Sequence, residues 1–330
     1  MAQIVLGIGS SHTPMLNAPV EDWPRFIERD QRRPHRDKAG RPVSYEELLA
    51  QAGDTVLPQL SPDVIADKHR RAMSHVDHLS DVIDRAALDV LVIVGDDQKE
   101  LYGDDNMPSI LVYRGGTIPN VPARPGIAPE WAARASARFY ETEGQRDYPV
   151  DTALADHTIS HLIDAGFDVA CADSVAQGEG EGHAFGFVHT RLLRRRLLPC
   201  LPIFLNTYYP PNQPTPARCF RLGQSLRAAI EAFPGQARIG IVASGGLSHF
   251  TVDESLDGMV IAALRAGDAQ ALMNLPRALL ESGSSEIRNW ICLAGAIEHL
   301  NLESIDYIPA YRTPAGTGTG LCFAVWRPTV

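Results

Sequence analysis

Six short, uniformly apolar segments constrain the fold of this chain more than any other feature of its sequence. Each is four or five residues long, and they lie at 4–8, 90–94, 110–113, 169–172, 202–205 and 239–243. Segments with helical spacing of apolar residues lie between them, at 62–87, 130–142, 152–165, 217–233, 256–265 and 285–299. Strands that are apolar on both faces and alternate with helices are typical of a covered parallel sheet. The pattern therefore predicts an α/β fold with a mostly parallel central sheet flanked by helices.

The rest of the chain adds two strands and one irregular region. Residues 305–311 and 321–326 are predicted strands, joined by the glycine-rich turn TPAGTGTG. Residues 18–60 are rich in Pro, Arg and Asp, with one short helical segment at 45–52. Long irregular segments in a compact domain are usually functional. Since no linker divides the chain, we expect one domain over 1–330, in which 18–60 is a lid or an oligomer contact.

Composition limits the class of protein. The chain has 330 residues, 45% of them apolar, and a formal net charge of −10. Its basic residues are mostly dispersed, which argues against nucleic acid as a partner. Neither a signal peptide nor a window of about 18 apolar residues is evident. The five cysteines lack CxxC spacing, which argues against a disulfide framework or a cysteine zinc site. We expect a soluble cytoplasmic protein that binds neither nucleic acid nor membranes.

Polar clusters follow several of the predicted strands. GSSHTP contains His12, GDDQ occupies 95–98, and SGGLSHF contains His249. In open α/β sheets, ligands bind beyond the carboxyl ends of the strands. Taken singly, each histidine is also compatible with a structural role, and Glu286 in SGSSEIRNW with a carboxylate at a helix N-terminus. Their recurrence, with His183 in GEGEGHAFGF, favours a functional site.

These motifs, in this order, resemble one enzyme family. SSHTP, an Asp-containing turn after a strand, GGLSH, and ESGSSE followed by Trp290 are similar to motifs of the class III extradiol ring-cleavage dioxygenases. That family includes the protocatechuate 4,5-dioxygenase beta subunit and the gallate and methylgallate dioxygenases. The resemblance extends from Ser10 to Trp290. It implies an iron(II)-dependent enzyme that uses dioxygen to open the ring of a catecholic aromatic acid.

The resemblance also implies roles for individual residues. His12 corresponds to a histidine ligand of iron(II), and Glu286 corresponds to the glutamate ligand. His249 corresponds to the catalytic acid/base, with an imidazole pKa suited to proton transfer near neutral pH. His183 corresponds to a second active-site histidine, close to substrate and dioxygen.

The turn after the second strand departs from the family pattern. Many members have Asn-Asp-His there, and the histidine is the second histidine ligand; this chain has Asp96, Asp97 and Gln98. Either Gln98 or Asp97 is then expected to replace the imidazole, unless the site is completed from elsewhere. Three histidines at 69, 75 and 78 are alternative donors, but their charged helix predicts a surface position.

Substrate recognition and assembly are less constrained. Tyr208 and Tyr209 resemble the wall of the family's pocket, where they could stack on an aromatic acid. Arg288 and Arg124 are candidates to bind a substrate carboxylate. The sequence does not separate protocatechuate from gallate or a methylated gallate. We expect a homodimer, in which 18–60 could close the active site.

Two other functions remain open at this point. A member of the same superfamily that binds a metal without oxygenase activity is favoured by Gln98. A zinc-dependent hydrolase could instead use Asp96, His12 and Glu286 around its ion. The pair of His249 and His183 favours an enzyme over a binding protein, because a binding protein needs no general base.

Overall fold

A mixed sheet runs through the centre of the part of the chain that the computed structural model describes, residues 1–123 and 130–329. The strands are β1 (Gln3–Ser10), β2 (His35–Arg36), β3 (Pro42–Val43), β4 (Val90–Asp96), β5 (Ile110–Tyr113), β6 (Thr117–Asn120), β7 (Arg146–Pro149), β8 (Ala170–Ala172), β9 (Cys200–Leu205), β10 (Arg238–Ser244), β11 (His249–Thr251), β12 (Asn301–Tyr311) and β13 (Thr317–Arg327). β2 pairs with β3 and β6 pairs with β7 in two small two-stranded sheets, and the other strands form the central sheet.

Helices cover both faces of this sheet. They are α1 (Pro14–Asn17), α2 (Phe26–Asp30), α3 (Tyr45–Ala52), α4 (Pro62–Ala86), α5 (Glu130–Ala137), α6 (Thr152–Asp164), α7 (His183–Phe187), α8 (Pro216–Ala232), α9 (Glu254–Ala266), α10 (Ala269–Met273) and α11 (Ile287–Ala296). Short 3-10 helices lie at Val20–Arg25, Gly53–Thr55, Leu57–Leu60, Arg277–Leu279 and Ser282–Glu286, and a π-helical turn at Val188–Leu192. None of the helices in the described ranges is both long and apolar enough to cross a bilayer.

The strand order explains where the polar clusters meet. The order is β11-β13-β1-β10-β4-β9-β5-β8, and β12 pairs with β13. Neighbouring pairs among β1, β10, β4 and β9 are parallel, whereas β13 and its partners are antiparallel. The carboxyl ends of four central strands therefore lie along one edge, and the loops that follow them converge there.

The predicted α/β fold is confirmed. Each of the six apolar segments overlaps a strand of the central sheet, and each predicted helix overlaps an observed one. The helix at 45–52 is α3, which begins at a capping box between Ser44 and Glu47. Around it, the 18–60 region consists of short helices and the β2–β3 hairpin, so it is more regular than its composition suggests.

Strand β4 shows why these segments are apolar at every position. Val90, Val92 and Val94 lie in one buried cluster, and Leu91 and Ile93 lie in the other. Alternate side chains of a strand point to opposite faces, so helices on both sides bury all five residues. Burial of each side chain contributes about 1.5–3 kcal/mol. These contributions hold β4 in the sheet and place the turn after it.

Gly9 in β1 permits a close contact that positions helix α11. A Cβ atom at this residue would lie 2.1 Å from the Trp290 ring, so only glycine allows the indole to lie against β1. The indole nitrogen of Trp290 also donates to the Gly245 carbonyl at 2.8 Å. These two contacts fix the first turn of α11, and with it Glu286, against the carboxyl edge of the sheet.

Candidate metal centre

Three potential metal ligands meet at the carboxyl edge of the sheet. His12 follows β1, His183 begins α7, and Glu286 ends the 3-10 helix that precedes α11. One ligand atom from each residue lies within 4.8 Å of the other two. His12 and Glu286 are buried, and the side chain of His183 is 15% exposed. Two imidazoles and one carboxylate are thus available to a single ion.

The hydrogen bonds of His12 leave one nitrogen free for a ligand. Its Nδ1 lies 3.0 Å from Ser244 Oγ, and that hydroxyl donates its own hydrogen to the Ala184 carbonyl at 2.7 Å. Because the Ser244 hydrogen is used in that bond, Ser244 Oγ can only accept from His12, and Nδ1 must carry the proton. The buried Nε2 has no hydrogen-bond partner and lies 3.9 Å from Glu286 Oε2. Burial lowers the pKa of His12 to about 3, so its Nε2 lone pair is available at physiological pH.

Glu286 is held as a carboxylate by its neighbours. Its Oε2 accepts the Gly246 N–H at 2.8 Å, and its Oε1 accepts the Tyr208 hydroxyl at 3.0 Å. Burial alone would raise its pKa, but the adjacent His249 and His12 lower the pKa to about 2. Glu286 therefore offers a carboxylate to an ion bound at the cluster.

His183 is oriented by a second carboxylate. Its Nδ1 lies 2.8 Å from Glu100 Oε2, so Nε2 faces the cluster. Glu100 also accepts the backbone N–H of His183 at 3.0 Å and the Tyr140 hydroxyl at 2.8 Å. Burial alone would lower the pKa of His183, but Glu100, Asp96 and Glu286 raise it to about 10. The acidic surroundings favour a cation at this nitrogen, and a carboxylate–histidine pair is typical of metal sites.

Replacing Glu100 by glutamine is expected to weaken metal binding about 10- to 100-fold, since partners of this kind orient metal-ligating histidines. Equilibrium dialysis against iron(II) under anaerobic conditions would measure the change. Glu143→Gln, at an exposed site, removes the same charge and should leave the affinity within about twofold of wild type. Equal affinities of the Glu100 variant and the wild type would show that Glu100 does not support a ligand.

His249 lies beside the cluster with one nitrogen free to exchange protons. Its Nδ1 lies 2.9 Å from the Leu247 carbonyl, to which it donates. Its Nε2 is 3.0 Å from Glu286 Oε1 and 3.4 Å from the Tyr208 hydroxyl. A Cβ atom at Gly283 would lie 2.2 Å from the ring of His249, so this glycine allows the close approach. Proton transfer by His249 must therefore occur at Nε2.

The structure does not bring Asp97 to the cluster. Its two carboxylate oxygens accept the backbone N–H groups of Leu101 and Tyr102, at 2.9 and 3.1 Å. Asp97 thus closes the turn that follows β4, as Asp side chains often do. It is not available as the replacement ligand that the sequence allowed.

Gln98 reaches the cluster through its amide nitrogen. This atom lies 3.3 Å from Glu286 Oε1 and 3.4 Å from both Asp96 Oδ2 and His183 Nε2. An amide NH₂ group donates hydrogen bonds and has no lone pair for a metal. Gln98 therefore orients Glu286, and the second imidazole of the cluster belongs to His183, from another loop.

Asp96 is fully buried beneath the cluster. Burial and the neighbouring Glu286 raise its pKa well above the usual range for a carboxyl group. Its carboxyl oxygens lie 3.4 Å from the amides of Gln98 and Asn289. The set Asp96, His12 and Glu286, which a zinc hydrolase could use, differs from the observed cluster, in which His183 takes the third place.

The residues that the sequence suggested for substrate binding occupy different environments. Tyr208 lines the cavity above the cluster, whereas Tyr209 lies outside its lining, next to the Lys99 ammonium at 4.7 Å. Arg288 is fully buried, and its guanidinium donates to main-chain carbonyls at 2.7–3.4 Å. Arg288 therefore supports loops and does not reach the cavity. Arg124 lies outside the described residues.

The three histidines of α4 lie away from the cluster. His78 is exposed, as the sequence predicts. His69 is partly buried, with Nε2 3.3 Å from the Leu16 carbonyl, and His75 stacks on Phe323. None of the three takes part in the cluster found among the described residues.

A cavity of about 220 Å³ opens above the cluster. His12, His183, Glu286 and His249 line it, together with Gln98, Tyr208, Phe139, Phe250 and the three arginines Arg29, Arg33 and Arg312. An apolar cavity of about 150 Å³ accommodates benzene, so this one has room for a single substituted aromatic ring. No motif in the sequence predicts these arginines: Arg29 and Arg33 lie in the charged run ERDQRR within 18–60, and Arg312 follows the predicted strand 305–311.

Arg29, Arg33 and Arg312 form one wall of the cavity, here called the arginine wall, and a buried ion pair holds Arg312 in place. Arg312 forms two hydrogen bonds with Asp30, Nε to Oδ2 and Nη2 to Oδ1, both at 2.7 Å. The Thr317 hydroxyl also donates to Asp30, at 2.6 Å. Burial alone would raise the pKa of Asp30, but Arg312 lowers it below its usual value. The pair joins α2 to the end of β12.

Asp30→Asn is expected to lower the free energy of unfolding by about 3–5 kcal/mol, because it leaves Arg312 buried without its partner. Urea denaturation at pH 7 would measure this loss. Because the folded pKa of Asp30 is depressed, the contribution is present above about pH 4 and disappears as pH falls through the folded pKa. Asp67→Asn, in an exposed pair, should change the stability by less than about 1 kcal/mol. Comparable losses in the two variants would contradict this role of Asp30.

Comparison with known proteins identifies the family. Residues 133–322, more than half of the chain, match the family model described as the catalytic LigB subunit of aromatic ring-opening dioxygenase. The chain belongs to this family. A gallate dioxygenase of Pseudomonas putida is 56% identical over 36 residues, a match that spans 11% of this chain and 11% of that relative. The span matched to the ring-opening dioxygenase family contains His183, His249 and Glu286, and His12 precedes it.

Proposed function

We propose that this chain is a non-heme iron(II)-dependent extradiol dioxygenase that opens the ring of a catecholic aromatic acid beside its two hydroxyl groups. The observation that carries the proposal is the cluster of His12, His183 and Glu286, with ligand atoms within 4.8 Å, in a cavity that His249 also lines. Two histidines and one carboxylate are the donor set of non-heme iron(II) oxygenases. Membership of a ring-opening dioxygenase family supports an aromatic substrate and dioxygen.

The residues present fit a divalent metal. His12 Nε2 is buried without a partner, which costs about 1–3 kcal/mol unless a ligand occupies it. Glu286 supplies negative charge, and Glu100 holds His183 with Nε2 toward the cluster. When bound, iron(II) supplies Lewis-acid polarisation of the substrate hydroxyls and electron exchange between substrate and dioxygen.

His249 is the proposed acid/base. Its Nδ1–H is held by the Leu247 carbonyl, so its Nε2 accepts the proton of a substrate hydroxyl. Glu286, 3.0 Å from Nε2, stabilises the imidazolium that forms. The same nitrogen can return the proton to the leaving oxygen later in the reaction. General acid–base catalysis of this kind contributes about 10²- to 10⁴-fold in rate.

The cavity walls suit a flat substrate. Phe139 and Phe250 provide apolar faces, and Tyr208 and Tyr140 provide hydroxyls. The Tyr208 hydroxyl donates to Glu286 and keeps that carboxylate in place. The short gallate dioxygenase match favours a substrate of the gallate type.

Oxygen uptake across a panel of substrates tests this function. The full chain, purified anaerobically and supplied with iron(II), should consume dioxygen with at least one of catechol, 3,4-dihydroxybenzoate, gallate and 3-O-methylgallate. The same protein supplied with zinc should consume none, because zinc has no redox chemistry. No uptake with any of the four, from protein shown to hold iron(II), would contradict the proposed function.

A further inference from the structure

One wall of the cavity carries three guanidinium groups. Two of them precede residues 133–322, which match the family model, and the third lies near the end of that span. Arg29 lies in α2, Arg33 in the loop that follows, and Arg312 directly after β12. All three line the same cavity as the His12–His183–Glu286 cluster. The wall therefore combines the 18–60 region with the end of the chain.

Among the residues that the structure describes, Arg312 alone of these three arginines has an acidic partner. Arg312 is neutralised by the two hydrogen bonds to Asp30. Arg29 and Arg33 form no ion pair among the described residues, and the buried atoms Arg29 Nε and Arg33 Nη1 have no hydrogen-bond partner. Two positive charges thus face the cavity with unused donors.

The electrostatics of the pair favour an anion. Burial, followed by the nearby guanidinium groups of Arg312 and Arg33, lowers the pKa of Arg29 to about 9. Burial and Arg312 also lower the pKa of Arg33. An anion between these groups would remove the mutual repulsion and satisfy the free donors. Charge-assisted hydrogen bonds from arginine to a carboxylate are about twice as strong as neutral ones.

The position of Arg33 connects the pair to the proposed catalytic centre. Its guanidinium lies over the Phe250 ring, 3.6 Å from the centroid, and Phe250 directly follows His249. Tyr208, whose hydroxyl donates to Glu286, lines the same cavity as Arg33. A ligand held by Arg33 is thus next to the residues that would handle its hydroxyl groups.

We propose that Arg29 and Arg33 form a subsite for the carboxylate of a monocyclic aromatic acid whose ring extends toward the His12–His183–Glu286 cluster. The planar guanidinium fork matches the geometry of a carboxylate, which an ammonium group does not. The assignment of the ring as a catechol rests on the proposed function, whereas the anion subsite rests on Arg29 and Arg33 alone. The 18–60 region would then determine substrate specificity, because it supplies the two arginines that bind the carboxylate of the aromatic acid.

Binding of an unreactive probe tests the subsite without turnover. Isothermal titration of the full chain, before iron(II) is added, would compare benzoate with the neutral benzamide. Arg29→Gln and Arg33→Gln should each weaken benzoate binding about tenfold or more and leave benzamide binding unchanged. Arg32→Gln is the matched control, since Arg32 is exposed and neighbours Arg33. Its benzoate affinity should stay within about twofold of wild type.

Turnover provides an independent readout. With iron(II) present, the two variants should raise KM for 3,4-dihydroxybenzoate about tenfold or more while kcat and the kinetics of 4-methylcatechol stay the same. Arg33→Lys, which keeps the charge, should give an intermediate KM. Folded variants that bind benzoate as tightly as wild type would overturn the subsite even if oxygen uptake is normal. If benzoate binding depends on Arg29 and Arg33 but no substrate supports oxygen uptake, the proposed function is wrong and the anion subsite is still supported.

Discussion

Glu286→Gln is expected to lower the affinity for iron(II) by more than about 100-fold and to abolish oxygen uptake. The substitution keeps the size of the side chain but removes the only carboxylate of the His12–His183–Glu286 cluster. Loss of an outer-shell partner alone costs metal sites about 10- to 100-fold in affinity, so loss of an anionic ligand should cost more. Anaerobic equilibrium dialysis with iron analysis would measure the affinity. Glu298→Gln, on the exposed surface after α11, is the matched control and should bind iron normally.

The same assay distinguishes His183 from Gln98 as the third ligand beside His12 and Glu286. His183→Ala should lose the metal, because its Nε2 belongs to the cluster. Gln98→Ala should retain most of the affinity, because its amide nitrogen donates to Glu286 and Asp96 and offers no lone pair to a metal. The opposite result, with metal lost from the Gln98 variant and kept by the His183 variant, would return Gln98 to the ligand set.

His249→Gln is expected to lower kcat about 10²- to 10⁴-fold while iron(II) binding changes by no more than a few-fold. The substitution removes the nitrogen that faces Glu286 and the cavity, but His249 is not needed to complete the cluster. Steady-state oxygen uptake with 3,4-dihydroxybenzoate, with iron content measured on the same sample, separates the two effects. His78→Gln, at an exposed position, should behave as wild type.

Two outcomes would contradict this role of His249. Loss of iron in proportion to loss of activity would make it a ligand. An unchanged kcat in the His249 variant would require another proton acceptor, and the Tyr208 hydroxyl, 3.4 Å from His249 Nε2, would be the next residue to replace.

The fold could be predicted largely because its central strands are buried on both faces. That environment requires apolar residues at 90–94 in β4 and at 239–243 in β10, so these segments stand out in the sequence. The three-residue strand β11 and the two-stranded β6–β7 sheet were not predicted. They are short, and their pairing depends on partners far away in the chain, which local periodicity does not record.

The sequence predicted where the site lies more readily than it predicted which residues form the cluster. His12, 95–98 and His249 follow parallel strands, and this topology alone brings them to one edge. Two details needed the tertiary structure. Asp97 is used by backbone N–H groups of its own turn, and His183 points into the cluster because Glu100, from a different loop, holds its Nδ1.

The arginine wall was not predictable from local sequence. Arg29 and Arg33 lie in a charged run that would normally be assigned to the surface, and packing of this region against Phe250 and Arg312 turns them inward. Conversely, Arg288 was a candidate for a substrate carboxylate, but it is buried among carbonyl groups. The expected homodimer and the cytoplasmic location remain predictions.

Labelling with ¹⁸O₂ tests the central claim most directly. The iron(II)-loaded chain would be incubated with 3,4-dihydroxybenzoate or gallate under ¹⁸O₂, and the product would be analysed by mass spectrometry. We predict a ring-opened product that contains both labelled oxygen atoms, with one dioxygen consumed per substrate. A product without label, or dioxygen consumed while the ring stays intact, would contradict the assignment as an extradiol dioxygenase.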